Sequence, residues 1–139
     1  MVMKLFKEAA AKLREAGIPP TLQRLAIAEV MLARPVHLSA EQVLARVRAF
    51  MPEVSRATVY NTLKLFREKN MVRELVVDPE RVFYDSNTAP HYHLFDVRTG
   101  ELSDVSAEEL QVVGTPRLPD GLELEEVDVI IRVRSRAPD

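Results

Sequence analysis

Two of the three histidines in this 139-residue sequence, His91 and His93, lie one residue apart. In an extended segment, side chains at positions i and i+2 point to the same face, so the two imidazoles would converge. Asp85 and Asp104 lie nearby along the chain and offer carboxylate oxygens. Imidazole and carboxylate groups together suit divalent transition metals. The segment from residue 84 to 104 therefore predicts a metal site, although two neighbouring surface histidines would give the same pattern.

The composition restricts what such a site can contain. The chain has no cysteine, which excludes a disulfide, a thiolate zinc site and a thiol redox switch. Any metal must be bound by imidazole, carboxylate, carbonyl or water. No apolar run is long enough to cross a bilayer, and the N-terminus lacks the apolar core of a signal peptide. We therefore expect a cytoplasmic protein with no membrane partner.

The charge is divided unevenly along the chain. Residues 1–77 carry 13 Lys and Arg against 7 Asp and Glu, whereas the remaining residues carry 6 against 14. A basic half predicts contact with a polyanion such as nucleic acid. A chance division of surface charge would give the same numbers.

Four helices are predicted in the first half, each from an apolar stripe at helical spacing. They cover about residues 3–16, 21–33, 39–50 and 55–69. Thr21, Ser39 and Ser55 are suited to cap the last three helices, and Gln42 would complete a capping box with Ser39. These elements would position any DNA-binding side chain of the basic half.

The third and fourth helices are joined by a short turn around Pro52, which is the skeleton of a helix-turn-helix. The second helix of that motif enters the major groove and reads base edges with its N-terminal residues. Five side chains of the fourth helix are suited to phosphates and bases, namely Arg56, Thr58, Tyr60, Asn61 and Lys64. We expect these residues to bind DNA, although the solvated face of an ordinary helical hairpin fits the same pattern.

The strands are predicted from alternation and turn residues. Residues 72–77 and 81–84 flank an Asp-Pro-Glu turn and predict a strand pair, which makes the helix-turn-helix a winged helix. Residues 94–97 and 101–105 predict a hairpin. At most a short helix is predicted over 106–112, and a long, half-buried strand is predicted over 127–133.

Together these elements predict an α+β fold in two domains. Residues 1–84 would form a winged-helix DNA-binding domain, and residues 85–139 a small α/β domain. So small a domain buries only about 60% of its chain surface. A second copy would cover the exposed sheet, so we expect a homodimer, which also matches a helix-turn-helix that reads two half-sites.

Several short runs carry a family resemblance. They are residues 13–17 with 20–24 (Pro-Thr-Leu-Gln-Arg), 37–41 (His-Leu-Ser-Ala-Glu), 55–63 (Ser-Arg-Ala-Thr-Val-Tyr-Asn-Thr-Leu), 84–87 (Tyr-Asp-Ser-Asn) and 91–93 (His-Tyr-His). In these runs the sequence resembles the ferric uptake regulator family of bacterial metal-responsive repressors. The resemblance implies an N-terminal winged helix and a C-terminal α/β dimerisation domain. It also implies binding of double-stranded DNA at an AT-rich inverted repeat, and no enzymatic activity.

The resemblance also implies a complete ligand set. His37 matches the family's regulatory metal ligand from the DNA-binding domain, and Asp85, His91, His93 and Asp104 match the other four. Three nitrogens and two oxygens at the interdomain hinge suit Fe²⁺ or Mn²⁺, and Zn²⁺ or Co²⁺ could bind in vitro. A metal that joins the two domains would fix the angle between them and so control DNA binding. The paired cysteines that most of the family uses for a structural zinc are absent, so none is expected here.

The resemblance leaves the sensed signal open. An aspartate at position 104 is typical of the peroxide-responsive branch of the family. In that branch, bound Fe²⁺ reacts with peroxide and a ligand histidine is oxidised, which by position would be His37 or His91. The iron-response-regulator branch also lacks cysteine, has a similar tail over residues 108–134, and responds to iron through haem. A constitutive DNA-binding protein with a structural metal is a further alternative. A non-haem iron enzyme with two histidines and a carboxylate is an alternative of another class.

Overall fold

The computed structural model describes residues 6–137. Its first elements are α1 (Lys7–Glu15), α2 (Leu22–Leu32), β1 (His37–Ser39), α3 (Ala40–Arg48), α4 (Arg56–Glu68), β2 (Arg73–Asp78) and β3 (Arg81–Asp85). They are followed by β4 (His91–Asp96), β5 (Leu102–Ser106) and β6 (Ile130–Val133). The predicted α+β fold class is confirmed.

The chain forms two compact units, Met1–Thr88 and Ala89–Asp139. The domain boundary that the sequence places between residues 84 and 85 stays a prediction. Residues 3–5 of the predicted first helix lie outside the described residues. Within the described part of the chain, no helix has the length and apolar character needed to span a lipid bilayer.

The helices begin where the sequence places their caps. The side-chain oxygens of Thr21, Ser39 and Ser55 accept the backbone N–H groups of Arg24, Gln42 and Thr58, respectively. The Gln42 side chain in turn accepts the Ser39 backbone N–H, which completes the predicted capping box. Each cap satisfies an N–H group that has no partner inside its helix.

The core of the first unit fixes the orientation of α4. Val59, Leu63 and Phe66 recur at helical spacing and are fully buried, whereas Tyr60 and Lys64 between them are exposed. Apolar burial at about 25 cal/mol per Å² holds this face of the helix inward. The opposite face is therefore presented to solvent in a defined orientation.

The sheet of the first unit has the strand order β1-β3-β2, and all its pairs are antiparallel. The β2–β3 connection is the predicted tight turn, in which Asp78 Oδ1 accepts the Glu80 N–H at 3.0 Å. The sequence did not predict β1, because three residues are too few to establish a period of two. The pairing with β3 defines β1, and its register sets His37 opposite Asp85 and Ser39 opposite Phe83.

The sheet of the second unit has the order β5-β4-β6, with β4 antiparallel to β5 and parallel to β6. The central strand begins at His91, so both neighbouring histidines lie on it. The turn after β4 is held by Asp96, whose Oδ1 accepts the N–H groups of Arg98 and Thr99 at 2.8 and 3.3 Å. The hydrogen bond from the Arg98 backbone is the main cause that lowers the pKa of Asp96.

Two segments of the second unit have less regular structure than the sequence allows or predicts. Residues 106–112 form no helix, although Ser106 Oγ accepts the N–H groups of Glu108 and Glu109 as a cap would. The turn ends there because β-branched Val112 and Val113 and the following Gly114 do not favour a helix. The strand predicted over 127–133 is limited to Ile130–Val133.

Candidate metal centre and nucleic-acid interface

The pairing of β4 with β5 brings three predicted metal ligands together in the second unit. His93 lies directly opposite Asp104, and His91 lies two residues along β4 on the same face. The Nε2 atoms of both histidines lie 3.7 Å from Asp104 Oδ1. The two rings meet edge to face, with centroids 4.6 Å apart. Two imidazole nitrogens and one carboxylate oxygen therefore face a common point.

A hydrogen bond to the backbone assigns the tautomer of His91. Its Nδ1 lies 2.6 Å from the carbonyl oxygen of Ala89. A carbonyl oxygen only accepts hydrogen bonds, so Nδ1 carries the proton and Nε2 of the neutral ring carries the lone pair. Metal-binding histidines commonly donate their other N–H in this way, which fixes the ring and raises its basicity.

The spacing of these three side chains fits a transition metal. Bonds of about 2.1 Å to one ion place neighbouring ligand atoms about 3.0–3.4 Å apart. The observed 3.7 Å separations would need only small side-chain rotations to reach that range. The imidazoles are nearly buried, at 5% and 7% side-chain exposure, whereas Asp104 is 42% exposed. An ion bound here would have imidazoles on its enclosed side and a carboxylate at the rim.

The other two predicted ligands, His37 and Asp85, lie in the first unit. They are cross-strand partners in the β1–β3 pair, so their side chains project from the same face of the sheet. Asp85 is only 2% exposed, and its Oδ1 accepts the Asn87 N–H at 2.9 Å, which orients the carboxylate. His37 is half-buried. Their role as metal ligands stays a prediction.

The five predicted DNA-binding residues all lie on α4. Arg56, Tyr60, Asn61 and Lys64 are exposed. Thr58 is half-buried beside Ser55, the N-cap of α4, and its Oγ1 accepts a hydrogen bond from the Ser55 hydroxyl at 2.8 Å. The helix is thus amphipathic in the sense that a major-groove helix requires, with apolar residues inward and hydrogen-bonding residues outward. DNA binding by these residues stays a prediction.

A groove of about 330 Å³ lies between the N-terminus of α2 and α4. Thr21, Gln23 and Arg24 line one side, and Thr58 and Asn61 line the other. The sequence identified Thr21 only as a helix cap, and it gave no role to Gln23 or Arg24. Their place beside α4 depends on the packing of α2 against it, which no local pattern encodes.

An ion pair on α3 and α4 was also not predicted. The carboxylate of Glu41 accepts Arg56 Nε–H at 2.7 Å and Arg56 Nη2–H at 3.2 Å. The Arg56 hydrogen bond is the main cause that lowers the pKa of Glu41, and Glu41 raises the pKa of Arg56 in return. Fifteen residues separate the two along the chain, so only the helix packing brings them together.

Comparison with known proteins supports the predicted family. The model of the ferric uptake regulator family matches residues 15–132. A peroxide-responsive repressor from Staphylococcus aureus is 32% identical over 108 residues, which cover 78% of this chain and 73% of the relative. The structure of a ferric uptake regulator from Pseudomonas aeruginosa with manganese aligns at a TM-score of 0.65 and 25% identity, over 91% and 97% of the two chains.

A peroxide stress regulator from Campylobacter jejuni shares the fold at a TM-score of 0.63 and 19% identity, over 99% of this chain and 98% of that protein. At this identity the likeness concerns the fold alone.

The geometry of the β4–β5 hairpin predicts that substitutions of its two aspartates, Asp104 and Asp96, change the Mn²⁺ affinity unequally. Asp104→Asn should weaken Mn²⁺ binding at least about tenfold, because the amide replaces a charged ligand. Asp96→Asn is the matched control, because Asp96 lies on the same hairpin and holds the turn. Isothermal titration calorimetry would measure both affinities. Equal affinities for the wild type and Asp104→Asn would exclude Asp104 as a ligand.

Proposed function

We propose that this chain, which belongs to the ferric uptake regulator family, is a metal-dependent DNA-binding repressor that senses peroxide or iron. Members of the family are dimeric regulators that bind DNA. The observation that carries the proposal is the convergence of His91, His93 and Asp104 on one point, in a chain whose first unit is a winged helix. We propose no enzymatic activity.

We infer that His37 and Asp85 complete the metal site. Their register on β1 and β3 places both side chains on one face of the sheet, and Asp85 is oriented by its hydrogen bond to Asn87. With His91, His93 and Asp104 they supply three nitrogens and two oxygens. This set suits Fe²⁺ or Mn²⁺, and Zn²⁺ or Co²⁺ can also be accommodated in vitro. A bound ferrous ion would supply the redox chemistry that peroxide sensing requires.

The ligand set contributes to regulation because its members come from both units. Ligands that share one ion restrict the arrangement of the elements that carry them, and His37 lies on the unit that carries α4. Metal binding then favours the arrangement that fits DNA. The size of this shift is set by the difference in the ion's affinity for the two arrangements. Loss of a single ligand would release the restriction.

The proposed DNA surface is the outer face of α4, with Arg56, Thr58, Tyr60, Asn61 and Lys64. We propose that it reads an AT-rich inverted repeat as a homodimer, one half-site for each α4. Seven large apolar side chains of the second unit are exposed among the described residues of the single chain and could be covered by a second copy: Val97, Val112, Val113, Leu118, Leu122, Leu124 and Val127. A repressor of this kind acts in the cytoplasm, where the chromosome lies.

The sensor role predicts that DNA binding depends on metal and on His37. The wild type should bind a duplex selected from a randomised library tightly in Mn²⁺, and weakly in excess chelator. His37→Ala in Mn²⁺ should behave like the wild type in chelator, while light scattering still detects the dimer. Fluorescence anisotropy at several salt concentrations should give a steep salt dependence, because phosphate contacts release counterions.

Two outcomes would contradict this role. Equal DNA binding by the wild type in Mn²⁺ and in chelator would indicate a constitutive DNA-binding protein with a structural metal. A monomeric His37→Ala variant would place that residue in the dimer interface instead of the metal site.

The peroxide hypothesis predicts oxidation at a ligand histidine. After loading with Fe²⁺ and treatment with hydrogen peroxide, tryptic peptide 25–46 (with His37) or 82–98 (with His91) should gain one oxygen atom, measured by tandem mass spectrometry. Asp104→Asn is the control, because weaker iron binding should reduce the oxidation. An unmodified wild type that instead gives a Soret band on titration with haem would support the iron-response-regulator alternative.

A further inference from the structure

The outer face of α4 contains a contact that the proposed function does not require. Arg56 is the first residue of α4, and the Glu41 carboxylate holds its guanidinium through two hydrogen bonds, Nε–H to Oε1 at 2.7 Å and Nη2–H to Oε2 at 3.2 Å. The Tyr60 hydroxyl donates a third hydrogen bond to the same Oε1 at 3.3 Å. One carboxylate from α3 therefore holds two predicted DNA-binding side chains, which lie one turn apart on α4.

Stability does not explain this contact. The side chains of Arg56 and Glu41 are 60% and 55% exposed, so water solvates both charges. An exposed ion pair changes an equilibrium by no more than about fivefold. For the same reason the contact is too weak to keep Arg56 away from DNA as a strong inhibitory lock would. The contact with Glu41 is sufficient, however, to favour one rotamer of the long Arg56 side chain.

The geometry of the pair leaves the reading edge of Arg56 directed elsewhere. A guanidinium has five N–H groups on a planar fork. Glu41 engages the side edge, formed by Nε and Nη2. The end edge, formed by Nη1 and the second hydrogen of Nη2, has the spacing that pairs with O6 and N7 of guanine in the major groove. A carboxylate on the side edge thus restrains the guanidinium plane and does not occupy the end edge that would pair with a base.

The backbone that carries Glu41 is itself well fixed. Glu41 lies in the first turn of α3, between Ser39 and Gln42, whose side chains form the capping box. An anchor with a rigid backbone lowers the conformational entropy that Arg56 must lose on contacting a base.

We propose that Glu41 is a specificity-determining residue of the DNA-reading surface, which holds Arg56 and Tyr60 so that Arg56 selects a guanine in each half-site. The carboxylate also disfavours complexes in which Arg56 turns to a phosphate, because Glu41 would then face the polyanion without its partner. Glu41 thus contributes to the difference between specific and non-specific binding more than to total affinity. This inference rests on the proposed function, since it requires that α4 read DNA.

The test compares base preferences among variants. Full-length wild type, Glu41→Ala, Glu41→Gln and Arg56→Ala are each incubated in Mn²⁺ with a randomised duplex library, and the bound DNA is sequenced. The matched control is Glu53→Ala, which removes the same charge from the exposed turn before α4. Circular dichroism and light scattering verify that each variant is folded and dimeric.

The wild type should prefer guanine at one position of each half-site by about 5- to 150-fold, as a bidentate arginine does. Arg56→Ala should lose that preference. Glu41→Ala should reduce it by about two- to fivefold, with equal or higher affinity for non-specific duplex, and Glu41→Gln should lie between, because it keeps one acceptor oxygen. The double variant Glu41→Ala with Arg56→Ala should have the same preferences as Arg56→Ala alone. Glu53→Ala should preserve the wild-type preference.

Two results would overturn the inference while the proposed function stands. One is an unchanged guanine preference in Glu41→Ala. The other is an equal gain in affinity for all sequences in both Glu41→Ala and Glu53→Ala. That result would show that Glu41 affects DNA binding only through its negative charge. If the wild type enriches no sequence in Mn²⁺, the proposed function fails and the inference fails with it.

Discussion

The pairing of β1 with β3 is the constraint on which the rest of the first unit depends. β3 is the central strand of its sheet, and its register with β1 sets His37 opposite Asp85. Two residues after His37, Ser39 caps α3, whose first turn carries Glu41. Glu41 then contacts Arg56 on α4. Five residues of one continuous segment therefore connect a predicted metal ligand to the proposed DNA-reading surface. A one-residue slip of the register would move every side chain of β1 to the opposite face.

Strand register also positions the predicted metal ligands of the second unit. The β4–β5 register places His93 opposite Asp104, and the period of two places His91 beside them. The Nδ1 of nearly buried His91 has a partner in the Ala89 carbonyl, so Nε2 is the atom that would bind a metal. Since metal ligands must be deprotonated, protons compete with the ion for these atoms.

Local sequence patterns were sufficient for some parts of this molecule and insufficient for others. The caps at Ser39 and Ser55 are encoded within four residues, so the helices could be predicted from the sequence. β1 could not, because three residues show no period and the strand exists only through its pairing with β3. The segment after Ser106, for which the sequence predicts at most a short helix, forms only a turn because one capped turn does not outweigh the β-branched residues that follow. His37 entered only through the family resemblance, and the contact of Glu41 with Arg56 depends on helix packing that a linear pattern does not contain.

In the proposed mechanism, metal binding and DNA binding are coupled, and thermodynamic reciprocity tests this coupling most directly. Calorimetric titration would give the Mn²⁺ affinity of the wild type alone and in complex with a selected duplex. If the two are coupled, DNA raises the Mn²⁺ affinity by the same factor by which Mn²⁺ raises the DNA affinity, with about 5- to 150-fold as a typical range. The same Mn²⁺ affinity in the free and DNA-bound protein would contradict the coupling, and with it the role of the metal as the regulatory signal.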